Sequence, residues 1–157
     1  NFKETNLTQM MTDIIKRLQP MADAKHISLQ WDASKEIHAE ADEMKLSLAI
    51  SNLVDNAVKY TPEEGTVKVS LDADHQNVFI SVADTGIGIP EDEVNRIFER
   101  FYRVDKTRDR ETGGTWLGLS IHSTIMLHKG SIKVNSKEEE GTTILVRIPL
   151  KQPTTHG

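Results

Sequence analysis

The stretch "NLVDNAVKYTP", residues 52–62, closes a helix that the sequence predicts over residues 42–60. Asn52, Asn56 and Lys59 recur in it at spacings of four and three, so their side chains share one helical face. A solvated polar stripe is one interpretation of this face. The other is a binding site, because amide oxygens suit Mg²⁺ and an ammonium group attracts phosphate.

A second stretch, "VADTGIGIP" at residues 82–90, follows an alternating strand and carries Asp84 at the end of that strand. Gly86 and Gly88 permit backbone conformations and close approaches that a Cβ atom would forbid. A plain glycine-rich turn would explain the same residues. A dinucleotide-binding fingerprint would not, since no third glycine follows at the required spacing and no helix opens there.

A third stretch, "GGTWLGLS" at residues 113–120, leads into a helix predicted from about residue 117 to residue 128. A glycine-rich run at a helix start offers free N–H groups and the positive end of the helix dipole, which suits an anion. Residues 102–115 are charged, contain Gly and Thr, and show no periodicity, which predicts a mobile loop. The three stretches, taken together and in this order, strengthen the case for a binding site.

The rest of the chain shows the patterns of helices packed on one face of a mixed sheet. Apolar residues at helical spacing from Leu7 to Met21 predict an amphipathic helix that Pro20 and the polar residues after it bring to a close. The segment "PEDEVNRIF", residues 90–98, predicts a short helix. Strands are predicted near residues 27–31, 37–39, 66–72, 76–83, 130–136 and 142–149, with 66–72 and 76–83 as an antiparallel pair.

Composition excludes several classes of function. The chain has 157 residues, 37 % of them hydrophobic, which fits one domain with a sizeable core. It has no cysteine, so disulfides and thiolate metal sites are excluded. The net charge of −5 argues against nucleic-acid binding. No apolar run is long enough to predict direct membrane contact, and the first residue is Asn, which indicates a segment of a longer protein.

Four short motifs of the chain resemble those of the catalytic, ATP-binding domain of bacterial sensor histidine kinases, within the GHKL or Bergerat-fold ATPases. The motifs of this family are called boxes. "NLVDNAVKYTP" is similar to the family's N box, "DTGIGIP" to its first glycine box, "IFERFYRVD" with Phe98 and Phe101 to its F box, and "GGTWLGLSI" to its second glycine box. The resemblance implies an α+β fold over residues 1–157: a two-layer sandwich whose mixed, mostly antiparallel sheet is covered by helices on one face. It also implies a mobile ATP lid over residues 100–115.

The resemblance further implies ATP and Mg²⁺ as cofactors. Asn56 would ligate Mg²⁺ with Asn52 supporting it through water, Lys59 would reach a phosphate, and Asp84 would accept a hydrogen bond from the adenine amino group. Tyr60 would flank the adenine, the two glycines after Asp84 would let the backbone pass the base, and basic lid residues would meet the triphosphate. The complete implied ATP-binding set is Asn52, Asn56, Lys59, Tyr60, Asp84, Gly86, Gly88, Ile89, Phe101, Arg103, Lys106, Arg108, Gly113, Gly114, Thr115, Trp116, Leu117 and Gly118.

Trp116 departs from the family, which has glycine at this position. A side chain there would be strained by on the order of 1–3 kcal/mol if the backbone φ were positive, and the indole could occupy space meant for phosphates. Three explanations stay open: a substitution that abolishes nucleotide binding, a Trp116 side chain that points outward with ATP still bound, or a repacked lid.

The phospho-acceptor is expected outside this segment, because none of the six histidines has the sequence context of the family's phosphorylated histidine. The resemblance implies that γ-phosphate moves to a histidine on a separate dimerisation domain of the same protein, which then serves a response regulator. Residues 1–6 would be the end of the linker from that domain. We expect a cytoplasmic domain of a membrane-anchored protein.

Two other functions remain open. ATPases of the chaperone, gyrase or mismatch-repair kind carry a water-activating Glu four residues before the Mg²⁺-ligating Asn, where this chain has Asn52. A nucleotide-free regulatory or interaction module with the same fold is the second alternative, and Trp116 is the residue that favours it.

Overall fold

The structure, a computed structural model, describes residues 1–33, 35–85, 114–137 and 141–151. In chain order the elements are β1 (Lys3–Asn6), α1 (Leu7–Ala24), β2 (Ser28–Ala33), β3 (His38–Ala41), α2 (Glu43–Tyr60), β4 (Thr66–Ala73), β5 (Asn77–Asp84), α3 (Gly114–Leu127), β6 (Ser131–Lys137) and β7 (Gly141–Pro149). None of the described helices is both long and apolar enough to cross a membrane.

The main sheet has five strands in the order β2-β4-β5-β7-β6. Only β2 and β4 run parallel, while the other three neighbouring pairs are antiparallel, so the prediction of a mixed, mostly antiparallel sheet is confirmed. The parallel pair requires a crossover, which β3 and α2 supply. Strands β1 and β3 form a separate two-stranded antiparallel sheet.

One face of the main sheet builds the core against the helices. Alternate residues of β4 and β5 are buried, and β7 continues this face with Val146 and Ile148. Helix α2 contacts both β4 and β5 and lies between α1 and α3, while α1 also packs on β2. Burial of about 25 cal/mol for each Å² of apolar surface makes this two-layer contact the main stabilising term. The predicted layer architecture is therefore confirmed.

The first helix ends among the polar residues after Pro20, as predicted, but the prediction that Pro20 itself helps to close it is wrong. Helix α1 continues to Ala24, with Pro20 inside it. Proline removes one backbone donor from the ladder and is costly mainly in a helix interior. Here it lies on an exposed position near the end, where the turn is completed by the Lys25 N–H, which donates to the carbonyls of Met21 and Ala22.

Two boundaries also differ from the sequence expectation. Strand β1 falls in residues 1–6, which were expected only as the end of a linker, and the linker itself stays a prediction. Helix α3 begins at Gly114, three residues before the predicted start, so Gly114 and Thr115 are helical rather than part of the lid. The helix predicted over residues 90–98 and the rest of the lid lie outside the described residues.

Candidate functional site

Helix α2 is fixed at both ends by side-chain hydrogen bonds. At its start Asp42 Oδ1 accepts from the backbone N–H of Lys45 at 3.2 Å, and this bond holds the pKa of Asp42 below its usual range.

At the end of α2 the Thr61 hydroxyl donates to the Ala57 carbonyl at 2.7 Å. The Lys25 ammonium donates to the carbonyls of Val58 at 3.0 Å and Lys59 at 2.6 Å. A cation at the carbonyl end of a helix is favourable, so Lys25 stabilises the last turn of α2.

The polar face of α2 holds Asn52 and Asn56, both half-buried. The Asn52 Nδ2 is shielded from solvent and has no hydrogen-bond partner among the described residues. A buried amide without a partner costs free energy, so it is expected to meet a partner such as a ligand, a water or a further residue. The Asn52 Nδ2 is a hydrogen-bond donor, so this observation identifies an unmet donor on the face that carries Asn56, and the metal roles of Asn52 and Asn56 stay predictions.

Lys59 and Tyr60 continue this face toward solvent. The Lys59 ammonium lies 3.3 Å from Asp55 Oδ2, one helical turn earlier, so its nearest described charge partner is a carboxylate. The Tyr60 side chain is 64 % exposed. Among the described residues, therefore, Lys59 is held close to the helix and Tyr60 is open on the surface, where it can cover a ligand.

Asp84 ends β5 on the helix-facing side of the sheet. It lies in register with the buried Val67 on β4 and with Thr142 on β7, and residues in register share a face. The backbone N–H of Thr142 donates to Asp84 Oδ1 at 3.3 Å. Gly141 packs even closer, because a Cβ atom built there would lie 2.0 Å from the Asp84 carbonyl oxygen. Asp84 is thus held by β7 with its carboxylate toward the helix layer.

Gly65 brings the end of α2 beside the end of β5. A Cβ atom on Gly65 would lie 2.4 Å from Thr61 Cγ2 and 3.0 Å from Thr85 Oγ1, so both threonines flank this glycine. The Thr66 N–H also donates to Thr85 Oγ1 at 2.9 Å. The structure therefore places the C-terminal end of α2 beside Thr85, the residue that follows β5.

The third part begins at α3. Gly114, Thr115, Trp116, Leu117 and Gly118 all lie in the first turns of this helix. Helical backbone has a negative φ, so the left-handed strain that a glycine position would suggest does not apply to Trp116. The other implied residues lie outside the described residues: Gly86, Gly88, Ile89, Phe101, Arg103, Lys106, Arg108 and Gly113.

Several residues of the site were missed from the sequence. The pairing of Asp55 with Lys59 was readable from their four-residue spacing on one helix. Gly65 and Thr142 carry no such signal, because their contacts with Thr85 and Asp84 join elements distant along the chain.

Comparison with known proteins assigns the class. Residues 41–152 match the family model described as "Histidine kinase-, DNA gyrase B-, and HSP90-like ATPase". The sensor histidine kinase RppB of Synechocystis is 40 % identical over 96 % of this chain and 34 % of its own length. The sensor histidine kinase WalK of Bacillus subtilis is 39 % identical over 93 % of this chain and 24 % of its own length. The chain thus spans about a third or less of these curated relatives.

Solved structures agree with this class. The catalytic domain of histidine kinase ThkA superposes with a TM-score of 0.81 at 28 % identity, covering 96 % of this chain and 97 % of that one. Full-length ShkA, solved in complex with AMPPNP, gives 0.81 at 29 % identity, covering 99 % of this chain and 32 % of that one. The fold and the arrangement of α2 and β5 define an ATP-binding domain of the sensor histidine kinase type.

The chain belongs to the histidine kinase-, DNA gyrase B- and HSP90-like ATPase family. The resemblance drawn from the four sequence boxes is thereby confirmed, and the nucleotide-free alternative is not favoured.

Proposed function

We propose that the chain binds Mg·ATP between α2 and the end of β5 and presents the γ-phosphate to a histidine on a separate dimerisation domain. The observation that carries this proposal is the Asn52 Nδ2, which is shielded from solvent and has no partner among the described residues, on a helix whose C-terminal end lies beside the residue that follows Asp84. Amide oxygens suit Mg²⁺ and the phosphates that it bridges, and the half-buried Asp84 carboxylate can accept from an adenine amino group.

Each described side chain of the proposed site has its own role in binding Mg·ATP. Asn56 would ligate Mg²⁺, and Asn52 would support it through water. Asp84 accepts from the adenine amino group and is positioned by its bond from the Thr142 N–H. Lys59 exchanges its contact with Asp55 for one with a phosphate oxygen. The free-energy cost of this exchange is small, because exposed ion pairs are worth about 0–1 kcal/mol. Bound Mg·ATP supplies the phosphoryl group, with Mg²⁺ neutralising its charge.

Transfer to a histidine is favoured over hydrolysis by Asn52 itself. Activation of an attacking water needs a group that can take its proton, and an amide cannot act as that base. An imidazole acceptor is itself the nucleophile, so a transfer reaction does not require a carboxylate at position 52. We therefore assign this chain to the kinase branch of its family rather than to the hydrolysing ATPases.

The partners proposed for the whole protein lie outside this chain. The histidine acceptor belongs to a dimerisation domain joined through residues 1–6, and a response regulator receives the phosphoryl group from that domain. ThkA was solved in complex with the response regulator TrrA, with a TM-score of 0.76 to this chain at 27 % identity. We propose that the full protein is anchored in the bacterial membrane and that this domain is cytoplasmic.

The replacement Asn56→Ala tests the metal end of the site. It should abolish Mg²⁺-dependent ATP binding in calorimetry while the circular dichroism spectrum stays unchanged. Asn135→Ala, an exposed position on β6, is the matched control and should bind like the parent. The parent, but not Asn56→Ala, should also phosphorylate an added dimerisation domain on histidine. Equal Mg·ATP affinity in Asn56→Ala and the parent would refute the assignment.

A further inference from the structure

A histidine and two glutamates meet on the surface at the end of the sheet where β2 and β4 begin. His26 belongs to the turn between α1 and β2, and Glu63 and Glu64 belong to the turn between α2 and β4. One donor atom from each side chain lies within 4.8 Å of the other two. The two turns are tied by backbone hydrogen bonds, since the Glu64 N–H donates to the His26 carbonyl at 3.0 Å and the Ser28 N–H to the Gly65 carbonyl at 3.0 Å.

We propose that His26, Glu63 and Glu64 form a binding site for a divalent transition-metal ion of the Zn²⁺ class. One imidazole nitrogen and two carboxylate oxygens leave a fourth, open position for water, as in three-ligand zinc sites. A neutral imidazole and two carboxylates carry a charge of −2, which one divalent cation compensates. The imidazole favours zinc and its neighbours over Mg²⁺ and Ca²⁺, which prefer oxygen ligands alone.

The distances agree with this coordination. Tetrahedral ligands at about 2.0–2.2 Å from zinc lie about 3.4 Å from one another. His26 Nδ1 and Glu63 Oε2 already stand 3.3 Å apart. Glu64 must close the remaining separation, and its exposed side chain can do so by a change of rotamer.

A simple ion pair between His26 and Glu63 is the competing explanation. Both side chains are 66 % exposed, and exposed pairs contribute little to stability. An ion pair uses one carboxylate and predicts no uptake of metal. The described chain supplies a matched comparison in His38, whose two ring nitrogens face different carboxylates: Nδ1 lies 3.5 Å from Glu4 and Nε2 lies 3.1 Å from Glu36. Because the two carboxylates lie at different nitrogens of the His38 ring, one cation cannot contact the ring and both carboxylates at once.

The proposed metal site adjoins the last turn of α2 but does not depend on the proposed nucleotide site. Lys25, next to His26, donates to the last carbonyls of α2. A metal at His26 would therefore fasten the turn that leads from α2 to β4. The probe is Zn²⁺ alone, in nucleotide-free protein, so that failure of the ATP proposal leaves this one untouched.

The test is calorimetric titration of the chain with Zn²⁺ near neutral pH in a non-chelating buffer. The replacements are His26→Asn, because Asn tolerates the left-handed φ of 61° at this position, and Glu64→Gln. His38→Asn is the matched control. The parent and the control should bind one Zn²⁺ per chain and gain melting temperature from it. The two variants should lose at least about tenfold in affinity, since even outer-shell partners of metal ligands are worth about 10–100-fold.

Two outcomes would overturn the proposal. One is absence of Zn²⁺ binding by the parent, which is what an ion pair alone predicts. The other is binding that His26→Asn and Glu64→Gln leave unchanged, which would place the metal elsewhere. The double replacement of Glu63 and Glu64 by Gln repeats the test with the backbone at His26 intact, should His26→Asn fail to fold.

Discussion

Gly141→Ala is predicted to be strongly destabilising, because it combines two costs at one residue. Gly141 has a φ of +121°, and an added Cβ would lie 2.0 Å from the Asp84 carbonyl oxygen and 3.0 Å from the Asp84 carbonyl carbon. The backbone strain is worth on the order of 1–3 kcal/mol and the forced separation of β7 from β5 about 1–3 kcal/mol more. The free energy of unfolding should fall by about 2–6 kcal/mol, a large part of the 5–15 kcal/mol typical of a domain.

Urea denaturation followed by circular dichroism measures this loss. Thr143→Ala, two residues along β7 and half-buried, is the matched control and should change the free energy of unfolding by no more than about 1 kcal/mol. The melting temperature of Gly141→Ala should fall by at least about 4 °C, at about 2–4 °C for each kcal/mol in a chain of this size. ATP affinity should fall too, because the new methyl group displaces Asp84. A loss below about 1 kcal/mol would refute the close packing of Gly141 on Asp84.

Three further predictions concern the charges around α2 and the start of α3. Lys59→Ala should lower affinity for ATP more than for adenosine, whereas Asp55→Asn should not; equal losses for both ligands would contradict the phosphate role of Lys59. Asp42 has a lowered pKa in the folded state, so its carboxylate stabilises the protein above the ordinary pKa of about 4, and this stability is lost as pH falls further. Asp42→Asn should therefore flatten the dependence of melting temperature on pH below about 4. If the variant and the parent lose melting temperature equally over this range, the role of Asp42 is contradicted. If the Trp116 indole weakens the triphosphate end of the site, Trp116→Gly should raise the preference for ATP over adenosine; it should also lower the melting temperature, since glycine within a helix costs about 0.5–1 kcal/mol. A parent that already prefers ATP strongly, with no change in the variant, would mean that the indole is harmless.

The elements with strong periodicity could be predicted from the sequence. The buried positions of α2 recur at helical spacing, and β4 and β5 alternate cleanly, so both were identified with nearly correct limits. Strand β1 was not identified as a strand, because its four residues "KETN" are polar and the strand is specified by pairing with β3, a segment more than thirty residues away. The early start of α3 was missed because Gly114 and Thr115 have low helix propensity.

In the candidate site, too, local sequence patterns could be predicted and long-range contacts could not. Asn52, Asn56 and Asp84 were predicted because each stands in a local pattern of helix face or strand end. Gly65 and Gly141 were not, because the role of each depends on one contact with a segment far along the chain. Such contacts depend on sheet order, which a single sequence with ambiguous strand pairing does not specify.

In the proposed function, Asp84 and the asparagine face of α2 form one adenine-nucleotide site. The most direct test is calorimetric titration of the parent with ATP and with GTP in the presence of Mg²⁺, together with Asp84→Asn and, as control, Asp72→Asn at an exposed position on β4. The parent and the control should bind ATP and discriminate strongly against GTP, and Asp84→Asn should bind ATP severely more weakly, because the contact loses its charged acceptor. Equal affinity of the parent for ATP and GTP, or an undiminished affinity of Asp84→Asn for ATP, would contradict it.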